Sequence, residues 1–365
     1  MKKRITFLFP GIANRPIGGY KVVYEYSNRL VADGFDVRII YPAFLRLEHK
    51  SWIFNSLKML KSSVKYLYCL ITKKHSCVGW FNLDKRVKES IVFSLREKWC
   101  AESDIYVATS VRTAFYLNDY KKKKRKVYLI QHYEAWDGVS EERLLETYSY
   151  PFEKIVISNW LYRIVSKYDS NCSLIPNGFD FDFFKRTVSA EKRDKFSVAM
   201  MYHIQNLKGC DDGFKALDIV KKRYPQLKLS LFGVYSAPDG LPKWITYYRQ
   251  PDKETFNKIY NSAAIFVGTS WSEGWGLTVG EAMMCGCAVA CTDNDGYREM
   301  AIDGTTALLS PIKNPSALAE NIIRLMENDS LRVRIAELGY EHIKKFNWDD
   351  SYCKLKELLT EKTTL

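Results

Sequence analysis

No apolar run in the 365-residue chain approaches the roughly 20 residues needed to span a bilayer, so no transmembrane helix is expected. Nor does the start read as an export signal. Met1-Lys-Lys-Arg-Ile-Thr-Phe-Leu-Phe-Pro10 holds an apolar stretch of only five residues, counting Thr6, before Pro10 and Gly11 end it. It reads instead as a first buried strand. The nine cysteines are odd in number and scattered, with no Cys-x-x-Cys pair and no Cys/His zinc spacing. That pattern speaks against a disulfide framework and for reduced thiols in a cytoplasmic protein. Internal repeats are absent, and so is any recognised nucleic-acid motif.

What is present fits a globular protein: 47% hydrophobic and 27% charged residues, in a chain long enough for two domains with separate cores. The net charge of +13 asks for an anionic partner: nucleic acid, a membrane surface or a phosphorylated substrate. The charge is concentrated in two blocks, Lys121–Lys126 and Arg46–Lys74. The first reads as a solvated loop leading into the strand Val127–Ile130.

Short apolar strands alternate with helical stretches in both halves, at Ile5–Phe9, Val37–Tyr41, Ile105–Ala108, Val127–Ile130 and Lys154–Ile157 in the first. A fresh series opens at Ser197–Tyr202 and continues through 227–232, 245–248, 264–267, 288–291 and 307–309. This alternation predicts two doubly wound parallel sheets facing a central cleft. Polar sequence from Lys185 to Lys195 reads as the linker. The expected divisions are an N-terminal, acceptor-side Rossmann-like domain over 1–185, a C-terminal nucleotide-sugar-binding domain over 186–345, and a C-terminal helix over 346–365 crossing back to the first.

The most informative segment is Glu273-Gly-Trp-Gly-Leu-Thr-Val-Gly-Glu281, which follows the apolar run Ala264–Val267 and leads into a helix over 278–285. A strand, a glycine-bearing loop and a helix start make an anion site, because the first helical N–H groups lack intrahelical acceptors. Glu273 precedes that loop and Glu281 lies about two turns into the helix. A phosphate between two polyols, as in a nucleoside-diphosphate sugar, fits the layout.

At these residues the chain resembles the family 4 retaining glycosyltransferases, which have the GT-B fold. The matching residues are Gly18-Gly19, Asn177-Gly178-x-Asp180, Lys208-Gly209 and Glu273-x-x-Gly276-Leu277-x-x-x-Glu281-Ala282-Met283, with Cys285-Gly286 following. Gln131-His132-Tyr133-Glu134 with Asn159-Trp160-Leu161 is also similar to rhamnosyltransferases that build surface polysaccharides. The resemblance implies sugar transfer from a nucleotide donor, with retention and without a bound metal or other cofactor. It implies that Glu273 supports charge at the anomeric centre, Glu281 accepts from the ribose, and Lys208 neutralises the leaving phosphate. Backbone N–H groups at Gly276, Leu277 and Thr278 then hold the diphosphate, His132 touches the donor sugar, and Gly18 and Gly19 permit close approach. Trp275 occupies the aromatic position of the motif and is counted with the donor-binding residues. Where the family usually has an arginine, five residues before the lysine, this chain has His203. A histidine there serves as the cation beside the diphosphate only if it is protonated.

The donor is expected to be a dTDP-, UDP- or GDP-linked hexose, and the acceptor a glycan or lipid-linked glycan of the capsule or O-antigen type. Alternatives are a sugar-nucleotide epimerase on a related fold and, on charge alone, a nucleic-acid binder. Nucleic acid is not among the expected partners. Residues 51–72 carry Ile53, Leu57, Leu60, Val64, Leu67 and Ile71 at helical spacing, with Lys58, Lys61 and Lys65 between them. This helix either packs its apolar face on the first domain or lies in the surface of an anionic membrane, at the inner face of the cell membrane.

Overall fold

The computed structural model describes residues 2–46, 50–72, 79–136 and 138–361. The chain divides into two compact units, 1–176 with 352–365, and 177–351.

In the first unit the order is β1 (Arg4–Leu8), α1 (Gly18–Ala32), β2 (Asp36–Pro42), α2 (Trp52–Thr72), β3 (Lys88–Val92), β4 (Ile105–Ala108) and α3 (Val111–Asn118). It continues with β5 (Arg125–Ile130), α4 (Glu141–Tyr148), β6 (Glu153–Val156), α5 (Asn159–Val165) and β7 (Cys172–Leu174). The strands form one seven-stranded sheet, β3-β2-β1-β4-β5-β6-β7, in which every pairing is parallel. Crossover helices cover such a sheet on both faces, which is why its central strands are apolar throughout. Ile5, Phe7, Leu8, Ile105, Val107, Leu129 and Ile130 are all buried.

The second unit contains β8 (Ser197–Tyr202), α6 (Cys210–Arg223), β9 (Lys228–Gly233), β10 (Ile245–Arg249), α7 (Lys253–Ser262) and β11 (Ile265–Gly268). Then come α8 (Leu277–Met284), β12 (Ala288–Thr292), β13 (Leu308–Ser310), α9 (Pro315–Glu327), α10 (Asp329–Ile343) and α11 (Trp348–Thr360). Its parallel six-stranded sheet runs β10-β9-β8-β11-β12-β13. In each sheet the strand order reverses direction once, between β1 and β4 and between β8 and β11. Open α/β sheets bind ligands at the carboxyl ends of the strands beside that reversal.

Residues 185–195, polar enough to read as a linker, are built into the second unit. The Arg193 guanidinium is buried and donates to the backbone carbonyls of Val188, Tyr260, Ala263 and Cys285. The chain passes between units at Asn177, where the amide of Phe179 donates to the Phe346 carbonyl at 2.9 Å. A Cβ on Gly178 would lie 2.5 Å from the Trp348 backbone, so only glycine fits this crossing. Helix α11 begins in the second unit and ends in the first. There Lys356 pairs with Asp33 at 2.7 Å, and Arg125 and Lys3 donate to the Leu359 carbonyl.

Helix α2 does not pack its apolar face on the first unit, contrary to the core-packing reading of residues 51–72. Among the described residues of the helix Asn55 and Ser62 are buried, while Ile53, Leu57, Leu60, Val64, Leu67 and Ile71 are exposed. Lys73 and Lys74, at the end of the second basic block, lie outside the described residues. Among the described residues no helix is long and apolar enough to cross a membrane.

Candidate functional site

In the second unit the sequence-predicted residues converge at the reversal of the sheet. The loop after β8 carries His203 and Lys208, and the loop after β11 carries Glu273 and Gly276. The two loops are tied together: the Thr269 hydroxyl donates to the Lys208 carbonyl at 2.6 Å and the Trp271 amide to the Leu207 carbonyl at 2.8 Å. Gly209, at φ +60°, makes the approach possible, since a Cβ there would meet the Thr269 carbonyl oxygen at 2.1 Å. From beneath, the Thr292 hydroxyl and the Asn294 amide both donate to the Ser270 carbonyl.

This framework brings Lys208 Nζ to 2.7 Å from Glu273 Oε1, where the Ser270 hydroxyl also donates at 2.7 Å. The side chains are 23% and 13% exposed, respectively, so the pair is partly shielded from water yet reachable. Gly276 caps α8 in the left-handed conformation, at φ +96°, and no side chain caps the helix start. The first turn of α8 has no acidic residue. Its N–H groups therefore present partial positive charge beside the lysine. One turn further on, Glu281 is buried, and its Oε2 accepts the Tyr260 hydroxyl at 3.3 Å. Burial drives the Tyr260 phenol well above its ordinary pKa, so it is a hydrogen-bond donor throughout the physiological range. The arrangement offers a cation, a helix start and two carboxylates to one polar ligand.

The surroundings of two further residues bear on their expected roles. Trp275 is buried, 5.0 Å edge-on from Phe346 and 6.5 Å from Phe179, so its ring packs the loop. The His203 Nδ1 accepts the Gln205 amide at 3.0 Å, and Nε2 lies 3.4 Å from the Tyr235 hydroxyl. An Nδ1 that accepts carries no proton, so this geometry holds a neutral ring.

In the first unit, Gly18 and Gly19 open α1, and Gln131 donates to the Gly19 carbonyl at 3.1 Å. Gln131 immediately follows β5 and His132 comes next, its ring edge-on to Trp136 at 4.4 Å. The same loop contains Glu134, which accepts from the Val111 amide at the start of α3. Burial pushes its carboxyl up to about 7, against the lowering effects of that N–H and of Arg112. The sequence reading assigned no role to Glu134, Tyr260 or Ser270. Ser270 stands three residues before Glu273, a short-range signal that was available. Nothing in the sequence joins Tyr260 to Glu281. Among the described residues no group of three or more His, Cys, Asp or Glu side chains is placed to hold a metal ion.

The chain is similar to several known proteins. The family model described as glycosyl transferases group 1 matches residues 182–342. A phosphatidyl-myo-inositol mannosyltransferase of Mycobacterium tuberculosis is 27% identical over 188 residues, covering 48% of this chain and 50% of the relative. A poly(glycerol-phosphate) alpha-glucosyltransferase of Bacillus subtilis is 22% identical over 328 residues, 86% of this chain and 45% of the relative. The chain thus spans about half the length of the curated relatives it matches. Among solved structures, Anabaena HepE in complex with UDP-glucose superposes with a TM-score of 0.72 at 15% identity, over 98% of this chain and 99% of that one. Sucrose-phosphate synthase from Thermosynechococcus elongatus gives 0.68 at 18% identity, over 98% of each chain. These two likenesses are of fold.

Proposed function

We propose that this chain, which has the GT-B fold and whose residues 182–342 match the glycosyl transferases group 1 model, is a metal-independent retaining glycosyltransferase. It moves a hexose or deoxyhexose from a nucleoside-diphosphate sugar to a hydroxyl of a growing surface glycan. The observation that carries this reading is the Lys208–Glu273 pair beside the uncapped start of α8, with buried Glu281 one turn along.

Fixed positive groups at a breaking phosphate–sugar bond lower its barrier because charge develops there and the protein need not reorganise. Lys208 and the α8 N–H groups are the positive groups, and Glu273 is the negative one facing the electron-poor anomeric carbon. Glu281, oriented by Tyr260, accepts from the ribose. The acceptor hydroxyl attacks from the face the phosphate leaves, and a phosphate oxygen takes its proton. The family resemblance also assigns His132, Gly18 and Gly19 to the donor.

UDP-glucose in the HepE complex and UDP in the complex of S. aureus TarM make a uridine donor the first to try. The similarity of residues 131–134 to rhamnosyltransferases supports dTDP-rhamnose as the second. Relatives named for phosphatidyl-inositol and poly(glycerol-phosphate) acceptors support a lipid-linked or polymeric glycan of the capsule or O-antigen class, handled at the inner face of the membrane. A calorimetric screen of UDP-, dTDP- and GDP-hexoses tests the reading. One donor is expected to bind preferentially and to survive incubation until an acceptor is supplied. Conversion of the donor alone into a different sugar nucleotide would replace the transferase by an epimerase.

A further inference from the structure

Helix α2 is amphipathic with its sides reversed. Trp52, Ile53, Leu57, Leu60, Val64 and Ile71 are 80%, 64%, 58%, 65%, 64% and 80% exposed, and Leu67 and Tyr68 are more than half exposed. At 100° per residue, Ile53, Leu57, Leu60, Val64, Leu67, Tyr68 and Ile71 fall within about 100° of arc, one continuous stripe. The opposite side holds the helix to its unit through polar and aromatic contacts. Lys58 Nζ donates to the Leu45 carbonyl at 2.9 Å, and Tyr66 lies against Phe93 and Trp99 at 6.0 and 6.4 Å. A helix kept for the core would turn the stripe inward. A contiguous apolar face of this kind marks an interaction surface.

We propose that α2 is a monolayer docking helix whose partner is the surface of an anionic lipid bilayer. Charge chooses the occupant. Lys61 borders the stripe, and the sequence of the helix carries three lysines (Lys58, Lys61 and Lys65) and no acidic residue. A second copy of the chain on this face would bring like charges together with no carboxylate from either helix to pair them. Phospholipid headgroups supply the missing anions, and acyl chains accept the stripe. The 21-residue helix is about 31 Å long and carries three lysines, so it lies along the interface and does not cross. Trp52 and Tyr68 suit the headgroup level, where an aromatic body with a polar tip is favoured. The purpose of docking, bringing a lipid-linked acceptor to the donor site, rests on the transferase reading. Docking itself does not.

The test is co-sedimentation of the full chain with vesicles of phosphatidylcholine alone or mixed with phosphatidylglycerol, at low and high salt. Binding to mixed vesicles should exceed binding to neutral ones by ten-fold or more and weaken as salt rises. The double variant Leu60→Glu, Val64→Glu should lose it. Lys61→Glu should lower it roughly five-fold or more, since each lysine near an anionic leaflet contributes roughly five-fold. Leu60, Lys61 and Val64 are exposed, so both variants should keep the wild-type unfolding midpoint and UDP affinity. Equal binding to both vesicle types, or full binding by the Leu60→Glu, Val64→Glu variant, overturns the proposal. So does a concentration-dependent dimer that this variant dissolves in a protein that ignores vesicles. If wild type binds vesicles but no sugar nucleotide, the transferase reading fails and the docking helix stands.

Discussion

Replacing Glu273 with glutamine should tighten the binding of UDP while abolishing transfer. Lys208 Nζ sits 2.7 Å from the Glu273 carboxylate, a separation worth about 6 kcal/mol of gross attraction at an effective dielectric of about 20. Desolvation and screening consume most of that, leaving a net coupling on the order of 1–2 kcal/mol for a pair this exposed. A diphosphate must therefore win the ammonium from a carboxylate already holding it, and then sit beside that negative charge. Glutamine keeps an acceptor for the Ser270 hydroxyl, removes the competition and frees the lysine. UDP carries no sugar and so loses no contact that Glu273 makes to one. Its affinity should rise roughly 5–30-fold, since each 1.4 kcal/mol is about ten-fold. Turnover with the intact donor should fall at least about a hundred-fold, as expected for loss of a group that meets developing charge. Isothermal titration with UDP, alongside single-turnover transfer, reads both quantities. A folded Glu273→Gln protein whose UDP affinity is unchanged or weaker would refute the assignment of Lys208 to the phosphate.

Three further outcomes are expected. Gly276→Ala forces a side chain onto a left-handed residue and puts its Cβ 2.5 Å from the Tyr297 ring, so stability should drop by about 3 kcal/mol, or roughly 6–12 °C in the melting temperature; an unchanged thermal melt would mean the loop relaxes freely. His203→Gln retains a donor and an acceptor without titrating, so with the ring neutral its pH–rate profile should follow wild type within about two-fold; a selective loss at acid pH would restore the cationic role. The Glu134 carboxyl, raised from 4.5 to about 7, holds its proton more firmly folded than unfolded. The stability this contributes is complete below pH 4.5 and is lost as pH rises through 7. Glu134→Gln should therefore gain on wild type by about 2 kcal/mol between pH 5 and 8 in urea denaturation, and a constant difference would count against the buried acid.

Much of this was legible in the sequence where local chemistry decides the outcome. The apolar runs at β8, β9, β11 and β12 and the glycines around Glu273 dictate strand, loop and helix without help from distant residues. Strand β3, Lys88-Glu-Ser-Ile-Val92, was not legible: it is an edge strand with a largely solvated face, and its residues mimic a loop. At three residues, β7 extends the sheet only because β6 is beside it. Arg193 reads as a linker cation until four carbonyls from separate segments surround it. Helix α2 shows the same limit from the other side, since periodicity reveals that a stripe exists and says nothing about which way it points.

The crossing at Asn177–Gly178 has an architectural consequence. Residues 177–351 are one uninterrupted length of chain set between two segments of the other unit. Near where the insert begins, Phe179 bridges Asn347, close to where it ends. The insert therefore enters and leaves through a single knot of backbone. Such a module can be exchanged whole between relatives without threading a new connection, and it carries Lys208, Glu273 and Glu281 with it. Helix α2 belongs to the other unit, so the candidate donor residues and the apolar stripe are carried by separate lengths of chain.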